Sequence, residues 1–178
     1  MGEGIERRGR LVLGLDPGTA VTGWGLVSRE GSRLSCVEYG CWKTSAGTPL
    51  PRRLLQITEG LEALLARTRP DAVAIEQAFF GKNVQSALRL GEARGSLLLT
   101  CARLGIETHE YPTASVKKAL VGNGRADKTQ VQFMLTRLLR MSAPPEPLDA
   151  SDALALAFTL AMEGGPSARS ASARLGRL

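Results

Sequence analysis

Residues 11–15 form an unbroken apolar run, Leu11-Val12-Leu13-Gly14-Leu15, that ends on Asp16 and is followed at once by Pro17-Gly18-Thr19. A run without polar alternation suits a strand covered on both faces, in the middle of an α/β sheet. Pro17-Gly18 ends it, because Pro lacks an N–H and Gly permits the turn. Asp16 is therefore expected at the carboxyl end of a central strand, where open α/β sheets place their chemistry, although Asp is also a common turn-starter. Residues 22–29 follow, with Trp24, Leu26 and Ser28 alternating with Gly23, Gly25 and Val27. Residues 33–43 hold Cys36, Val37, Tyr39 and Trp42. The two read as further strands joined by a hairpin turn at Gly31-Ser32.

The period then changes. Leu54, Leu55, Ile57, Leu61, Leu64 and Leu65 recur at helical spacing and predict a helix over 51–67, with Pro51 suited to its first turn. Residues 71–76 read as a strand, Ala72-Val73-Ala74-Ile75, that again ends on a carboxylate, Glu76. A helix between two such strands is the crossover of a parallel pair. Asp16 and Glu76 are thus expected at the same end of neighbouring strands. After a loop over 77–83 that carries Phe79, Phe80 and Lys82, a long helix is predicted over 84–104. Ala87, Gly91 and Gly95 lie four apart on it. Each Gly costs about 1 kcal/mol relative to Ala in a helix interior, so close packing on that stripe is a plausible compensation. A strand over 106–111 and helices over 112–121, 128–140 and 149–162 complete the pattern, with a break at Gly122-Asn123-Gly124 and a Pro-rich connector over 142–147. Residues 1–9 are polar and expected to be flexible. Residues 164–178 are rich in Gly, Ser, Ala and Arg without an acid, and are expected to form a disordered basic tail. No internal repeat is visible.

Composition narrows the chemistry. The 178 residues suffice for one domain, 10–163, with a real core. The net charge of +6 favours an anionic partner, nucleic acid before membrane. No apolar run is long enough to span a membrane and no secretory signal is visible, so a cytoplasmic protein is expected. Three scattered cysteines, Cys36, Cys41 and Cys101, give neither a disulfide framework nor a zinc pattern, and His109 is the only histidine. Zinc chemistry and Ser-His or Cys-His catalysis are poorly supported, which leaves carboxylates as agents.

Asp149 and Asp152 are three apart at the start of the last predicted helix and share a face. They would also suit an N-cap and a helix dipole. If that helix lies over the strand ends, Asp16, Glu76, Asp149 and Asp152 crowd one site. Two charges ~4 Å apart repel by ~1 kcal/mol in water and ~4 kcal/mol at an effective dielectric of 20, so a divalent cation is the natural complement. Oxygen ligands select Mg²⁺ or Mn²⁺ over zinc. Two such ions ~4 Å apart stabilise the attacking and leaving oxygens of phosphodiester cleavage.

Together with these acids, Asp16-Pro17-Gly18-Thr19, Val21-Thr22-Gly23-Trp24-Gly25, Ile75-Glu76-Gln77-Ala78-Phe79-Phe80, Lys82-Asn83, Ser86-Ala87-Leu88-Arg89-Leu90-Gly91-Glu92-Ala93-Arg94-Gly95, Val116-Lys117, Lys128-Thr129-Gln130-Val131-Gln132 and Asp149-Ala150-Ser151-Asp152-Ala153-Leu154-Ala155 resemble the RuvC family. The match runs in order from about residue 10 to 163. Any one piece is weak, and the set is highly specific. The resemblance implies an α/β, RNase H-like fold with a five-stranded mixed sheet flanked by helices. It implies a crossover junction endodeoxyribonuclease, a Holliday junction resolvase that serves recombination and repair by paired nicks leaving 5′-phosphate and 3′-hydroxyl ends. It further implies that Asp16, Glu76, Asp149 and Asp152 bind two Mg²⁺ or Mn²⁺ ions and are catalytic, although some family members carry His at the position of Asp149. A homodimer is implied, as are four-way junction DNA and the branch-migration proteins RuvA and RuvB as partners. Phe79 and Phe80 match loop aromatics that contact bases, and an aromatic face beside Lys82 suits unpaired bases. Lys117, Lys118, Arg125 and Lys128 are candidate phosphate contacts near the Gly122–Gly124 break. The Ala87-Gly91-Gly95 stripe is a candidate two-fold contact.

Three rival readings fit the residues less well. An actin-like ATPase or kinase shares the Asp-x-Gly-Thr opening but needs a second domain and a second glycine-rich phosphate loop, which this chain lacks. An RNase H-like enzyme acting on RNA fits the 79–83 loop and the long following helix less well. A binding protein without catalysis has no reason to keep four acids.

Overall fold

The structure is a computed structural model and describes residues 9–77 and 84–163. The expected polar N-terminus, apart from Gly9, the loop residues Phe79, Phe80 and Lys82, and the basic tail over 164–178 lie outside the described residues. Strands β1 (Arg10–Asp16), β2 (Val21–Glu30) and β3 (Arg33–Lys43) are followed by helix α1 (Leu50–Thr68), strand β4 (Ala72–Glu76), helix α2 (Val84–Arg103), strand β5 (Thr108–Tyr111) and helices α3 (Thr113–Val121), α4 (Lys128–Leu138) and α5 (Leu148–Glu163). The sheet runs β3-β2-β1-β4-β5. The β1–β2 and β2–β3 pairs are antiparallel, and the β1–β4 and β4–β5 pairs are parallel. This is the five-stranded mixed sheet of an RNase H-like fold, with β1 at its centre.

Alternation along the central strands decides which helices cover which face. Leu13, Leu15, Leu26, Val73 and Ile75 pack with Ile57, Leu61, Leu64 and Leu65 of α1 and with Leu97 and Cys101 of α2. Val12, Val27, Ala72 and Ala74 face the other way and pack with α3, α4 and α5. Asp16 and Glu76 follow the second set in phase, so both lie on the α5 face.

That face is lined by glycine. A Cβ at Gly14 would sit 1.9 Å from the Ala153 carbonyl oxygen, one at Gly23 2.0 Å from that of Asp149, and one at Gly25 2.6 Å from the Leu154 side chain. The backbone of α5 therefore lies directly on β1 and β2, closer than any residue with a Cβ would allow. Its far end is anchored by Arg29, whose Nη1 donates to the Ala161 and Met162 carbonyls at 2.5 and 2.9 Å, and by the Tyr111 hydroxyl, 2.5 Å from Glu163 Oε2.

Several boundaries differ from the sequence pattern. β5 starts at Thr108, because Gly105 turns at φ 68° and the Ile106 N–H returns to the Cys101 carbonyl, closing α2. α4 stops at Leu138, where Arg140 takes φ 54° and the Met141 N–H bonds the Thr136 carbonyl. On α1, Leu55 is exposed and Arg53 is buried, the reverse of the apolar pattern. Cys36, Cys41 and Cys101 are free.

The glycine seat is testable by substitution. Gly23→Ala and Gly14→Ala each force α5 off the sheet, at a cost of about 1–3 kcal/mol or more, read as a drop of at least ~2–4 °C in melting temperature. Gly47→Ala, between β3 and α1, where an added Cβ meets only Ser45 Oγ at 3.9 Å, should change stability by less than about 0.5 kcal/mol.

Candidate active site

The register of the sheet assembles the site. β1 and β4 pair in parallel through Leu15 and Ile75, so the next residues, Asp16 and Glu76, emerge side by side. Asp16 pairs across β2 with Gly23, on which the first turn of α5 sits. Asp149 lies inside that first turn rather than at a cap, because the helix starts at Leu148. Asp152 follows three residues on, on the same face. The helix that does begin on an Asp cap is α4: Asp127 accepts from the Gln130 N–H at 2.8 Å, and Gln130 Oε1 accepts from the Asp127 N–H at 3.2 Å. This places Lys128 beside α5, with its Nζ 3.1 Å from Asp152 Oδ2.

Electrostatics make Asp16 the centre. Burial, then the charges of Glu76, Asp152 and Asp149, push its carboxyl up to about 8, against a weaker opposing pull from Lys128. The Lys128 ammonium is held above its ordinary value, first by its hydrogen bond to Asp152. Among the described residues, no group of three or more His, Cys, Asp or Glu side chains is gathered tightly enough to hold an ion as it stands. Two of the four acids already have a partner: Asp152 the Lys128 ammonium, and Glu76 the Thr113 hydroxyl, which donates to Oε1 at 2.5 Å. The donor set nonetheless fits a divalent cation. It is all oxygen, it spans two strands and a helix, and burial together with the neighbouring charges holds its central carboxyl well above the ordinary carboxylate range.

The turn after Asp16 is tied down by residues that the sequence pattern did not single out. The Thr22 hydroxyl donates to the Gly18 carbonyl at 2.6 Å. The Thr44 hydroxyl donates to the Thr19 carbonyl at 2.5 Å, and buried Arg53 donates through Nε to the Thr19 carbonyl at 3.0 Å and to Thr44 Oγ1 at 2.8 Å. On the Glu76 side, Arg94 Nε donates to the Glu76 carbonyl at 3.0 Å while its Nη2 pairs with Glu110. Nothing in the spacing of Arg53 or Thr44 marks them. The in-strand glycines Gly14, Gly23 and Gly25 were a visible signal of close backbone approach.

The candidate DNA contacts divide. Lys118 and Arg125 are exposed. Lys117 is half-buried and donates from Nζ to the Ala126 carbonyl at 2.7 Å, so it braces the α3–α4 connection, and Lys128 is engaged by Asp152. Phe79, Phe80 and Lys82 lie outside the described residues, between β4 and α2.

The sequence model of the family described as "Crossover junction endodeoxyribonuclease RuvC" matches residues 12–160. Proteins of that name from Chloroflexus aggregans and Desulfitobacterium hafniense are 50% and 46% identical over 146 and 148 residues. The alignments cover 82% and 83% of this chain and 89% and 90% of those proteins. The solved structure of Thermus thermophilus RuvC in complex with a Holliday junction substrate matches with a TM-score of 0.80 at 34% identity, covering 84% of this chain and 92% of that one. A family match over nearly the whole described domain, on a fold that brings the four acids to one strand end, leads to one conclusion: this chain belongs to the RuvC family of crossover junction endodeoxyribonucleases.

Proposed function

We propose that this protein is a structure-selective DNA endonuclease that resolves Holliday junctions in recombination and repair, by paired, metal-dependent nicks that leave 5′-phosphate and 3′-hydroxyl ends. The observation that carries this is the half-buried Asp16 carboxyl, whose ionisation is opposed by its burial and by the charges of Glu76, Asp152 and Asp149 around it, in a family of divalent-metal nucleases. Asp16 and Glu76, on rigid neighbouring strands, are the principal ligands, and Asp149 and Asp152 complete the set. Bound there, a pair of Mg²⁺ or Mn²⁺ ions supplies Lewis-acid stabilisation to the attacking water and the leaving 3′ oxygen. The chain's own contribution is to hold four anions where a phosphate must approach, with Lys128 as the adjacent cation. No helix among the described residues is long and apolar enough to cross a membrane.

Two symmetric cuts call for two sites related by an axis, and α2 offers a surface for that. Val84, Leu88 and Leu99 are 71%, 64% and 62% exposed, and Gly91 and Gly95 between them have open space around them. These residues fall at spacings of four, three, four and four, on one helical face. Ala87, the first member of the small-residue stripe, is half-buried instead. The proposed homodimer joins through this face, with junction DNA across both subunits and RuvA and RuvB as further partners. Phe79 and Phe80 engage unpaired bases, Lys82, Lys118 and Arg125 take phosphates, and Lys117 and Lys128 are the phosphate contacts that have internal partners to release first.

Four outcomes are expected. Incubated with a synthetic four-way junction and a matched linear duplex, with and without Mg²⁺, the protein should cut the junction alone and only with metal. Asp16→Asn should retain junction binding while its cleavage rate falls by more than about a hundredfold, since even groups that merely orient a metal ligand cost that much; a variant that cuts at a rate near wild type contradicts the site. Sedimentation should show a dimer at micromolar concentration that Leu88→Glu converts to monomer. In junction-binding titrations against salt, Lys118→Ala and Arg125→Ala should each lower the slope by about one unit, whereas Lys117→Ala should also lower the melting temperature.

A further inference from the structure

The carboxylate of Glu76 is held by a residue on a helix that contributes nothing else to the acid cluster. Its backbone is already fixed. It pairs with Tyr111 in the parallel β4–β5 ladder, the following Gln77 N–H bonds the Tyr111 carbonyl at 2.9 Å, and its own carbonyl accepts from Arg94 Nε at 3.0 Å. What remains free is the side chain, a flexible one with several rotamers. Among the described residues, its carboxylate accepts a hydrogen bond from the Thr113 hydroxyl, 2.5 Å from Oε1. Thr113 is the first residue of α3. It is not the cap, since Pro112 occupies that position without a side-chain bond, and α3 has no acid in its first turn. The hydroxyl therefore does not serve its own helix. Glu76 emerges beside Asp16 in the parallel β1–β4 register, and α3 packs through Val116 and Leu120 on the same sheet face as α5, so the bond holds the carboxylate on the side of the sheet where the site lies. One carboxylate oxygen has two lone pairs, so a bond to Oε1 leaves acceptor capacity on that oxygen and all of Oε2.

We propose that Thr113 is a positioning residue for Glu76, fixing its carboxylate by the hydroxyl-to-Oε1 hydrogen bond so that it is preorganised to receive a divalent cation together with Asp16. This rests on the metal-site reading given above. Partners that orient metal ligands in this way typically contribute about ten- to hundredfold in metal affinity. A half-exposed carboxylate places Thr113 at the lower end of that range.

The test uses the full chain and Mn²⁺ without DNA, read as melting temperature against Mn²⁺ concentration, a ligand of the native state raising stability by mass action. Thr113→Val keeps the shape and removes the donor. It should need about tenfold more Mn²⁺ for the half-maximal shift, and junction cleavage should show the same displacement of its Mn²⁺ requirement with a rate near wild type at saturation. Thr113→Ser, which restores the hydroxyl, should return both curves to wild type. A purely structural role for Thr113 would lower the melting temperature equally at every Mn²⁺ concentration. Thr113→Val with the wild-type Mn²⁺ dependence, or a tighter one, overturns the proposal while leaving the metal site standing. A wild type whose melting temperature ignores Mn²⁺, as Asp16→Asn should, overturns both.

Discussion

The repulsion among carboxylates at the end of β1 is the constraint on which the rest of this structure turns. Four acids brought to one place oppose folding, and Asp16, through its burial first and the charges of Glu76, Asp152 and Asp149 next, holds its proton far above the ordinary carboxylate range. A fold tolerates this only if other contacts hold the strand end and the helix together more strongly than the charges drive them apart. Here the holding is done largely by backbone proximity. Gly14, Gly23 and Gly25 let α5 lie on β1 and β2 without intervening side chains, and α5 is apolar or small on nearly every buried position, from Ala150 to Ala161.

Around that contact the polar groups are arranged so that the acids have little freedom to move apart. Thr22, Thr44 and Arg53 fix the turn that follows Asp16. Arg94, itself paired with Glu110, fixes the end of β4, and Arg29 and Tyr111 fix the far end of α5. Lys128 supplies the one positive charge that the described residues bring against the cluster, and it does so from the surface, where its ion pair with Asp152 is weak enough to be exchanged. A site built this way is rigid in its backbone and exchangeable in its charges, which suits a centre that must admit both a cation and a phosphate.

Much of this was legible in the sequence. The apolar runs ending on Asp16 and Glu76 announced two buried parallel strands, and the interval between them had the length and period of a crossover helix. Asp149 and Asp152 were readable as one face of a helix, though not whether that face met the strands or solvent, because a cap and a ligand share the same residue type. What the sequence concealed depends on contacts between distant segments. Arg53 breaks the apolar pattern of α1, and its burial makes sense only once the Thr19 carbonyl and the Thr44 hydroxyl are seen to receive it. Lys117 looked like a surface cation and instead reaches a carbonyl nine residues away. The glycines of β1 and β2 were visible as interruptions in strands, and their purpose appears only with α5 laid across them.

The central claim is that the fold keeps an unfavourable charge cluster, centred on Asp16, for a cation to neutralise. Melting temperature against pH in chelator, wild type beside Asp16→Asn, tests it most directly. A carboxyl that titrates near 3.8 when unfolded and about 8 when folded binds more protons in the native state between those values. Its contribution to stability is thus complete below the lower value and is lost as pH rises through the upper one, at up to about 1.4 kcal/mol per unit. Relative to Asp16→Asn, the wild type should lose stability steadily between pH 5 and about pH 8 and then level off. A difference between the two proteins that stays constant, or grows in favour of the wild type as pH rises, would contradict the account.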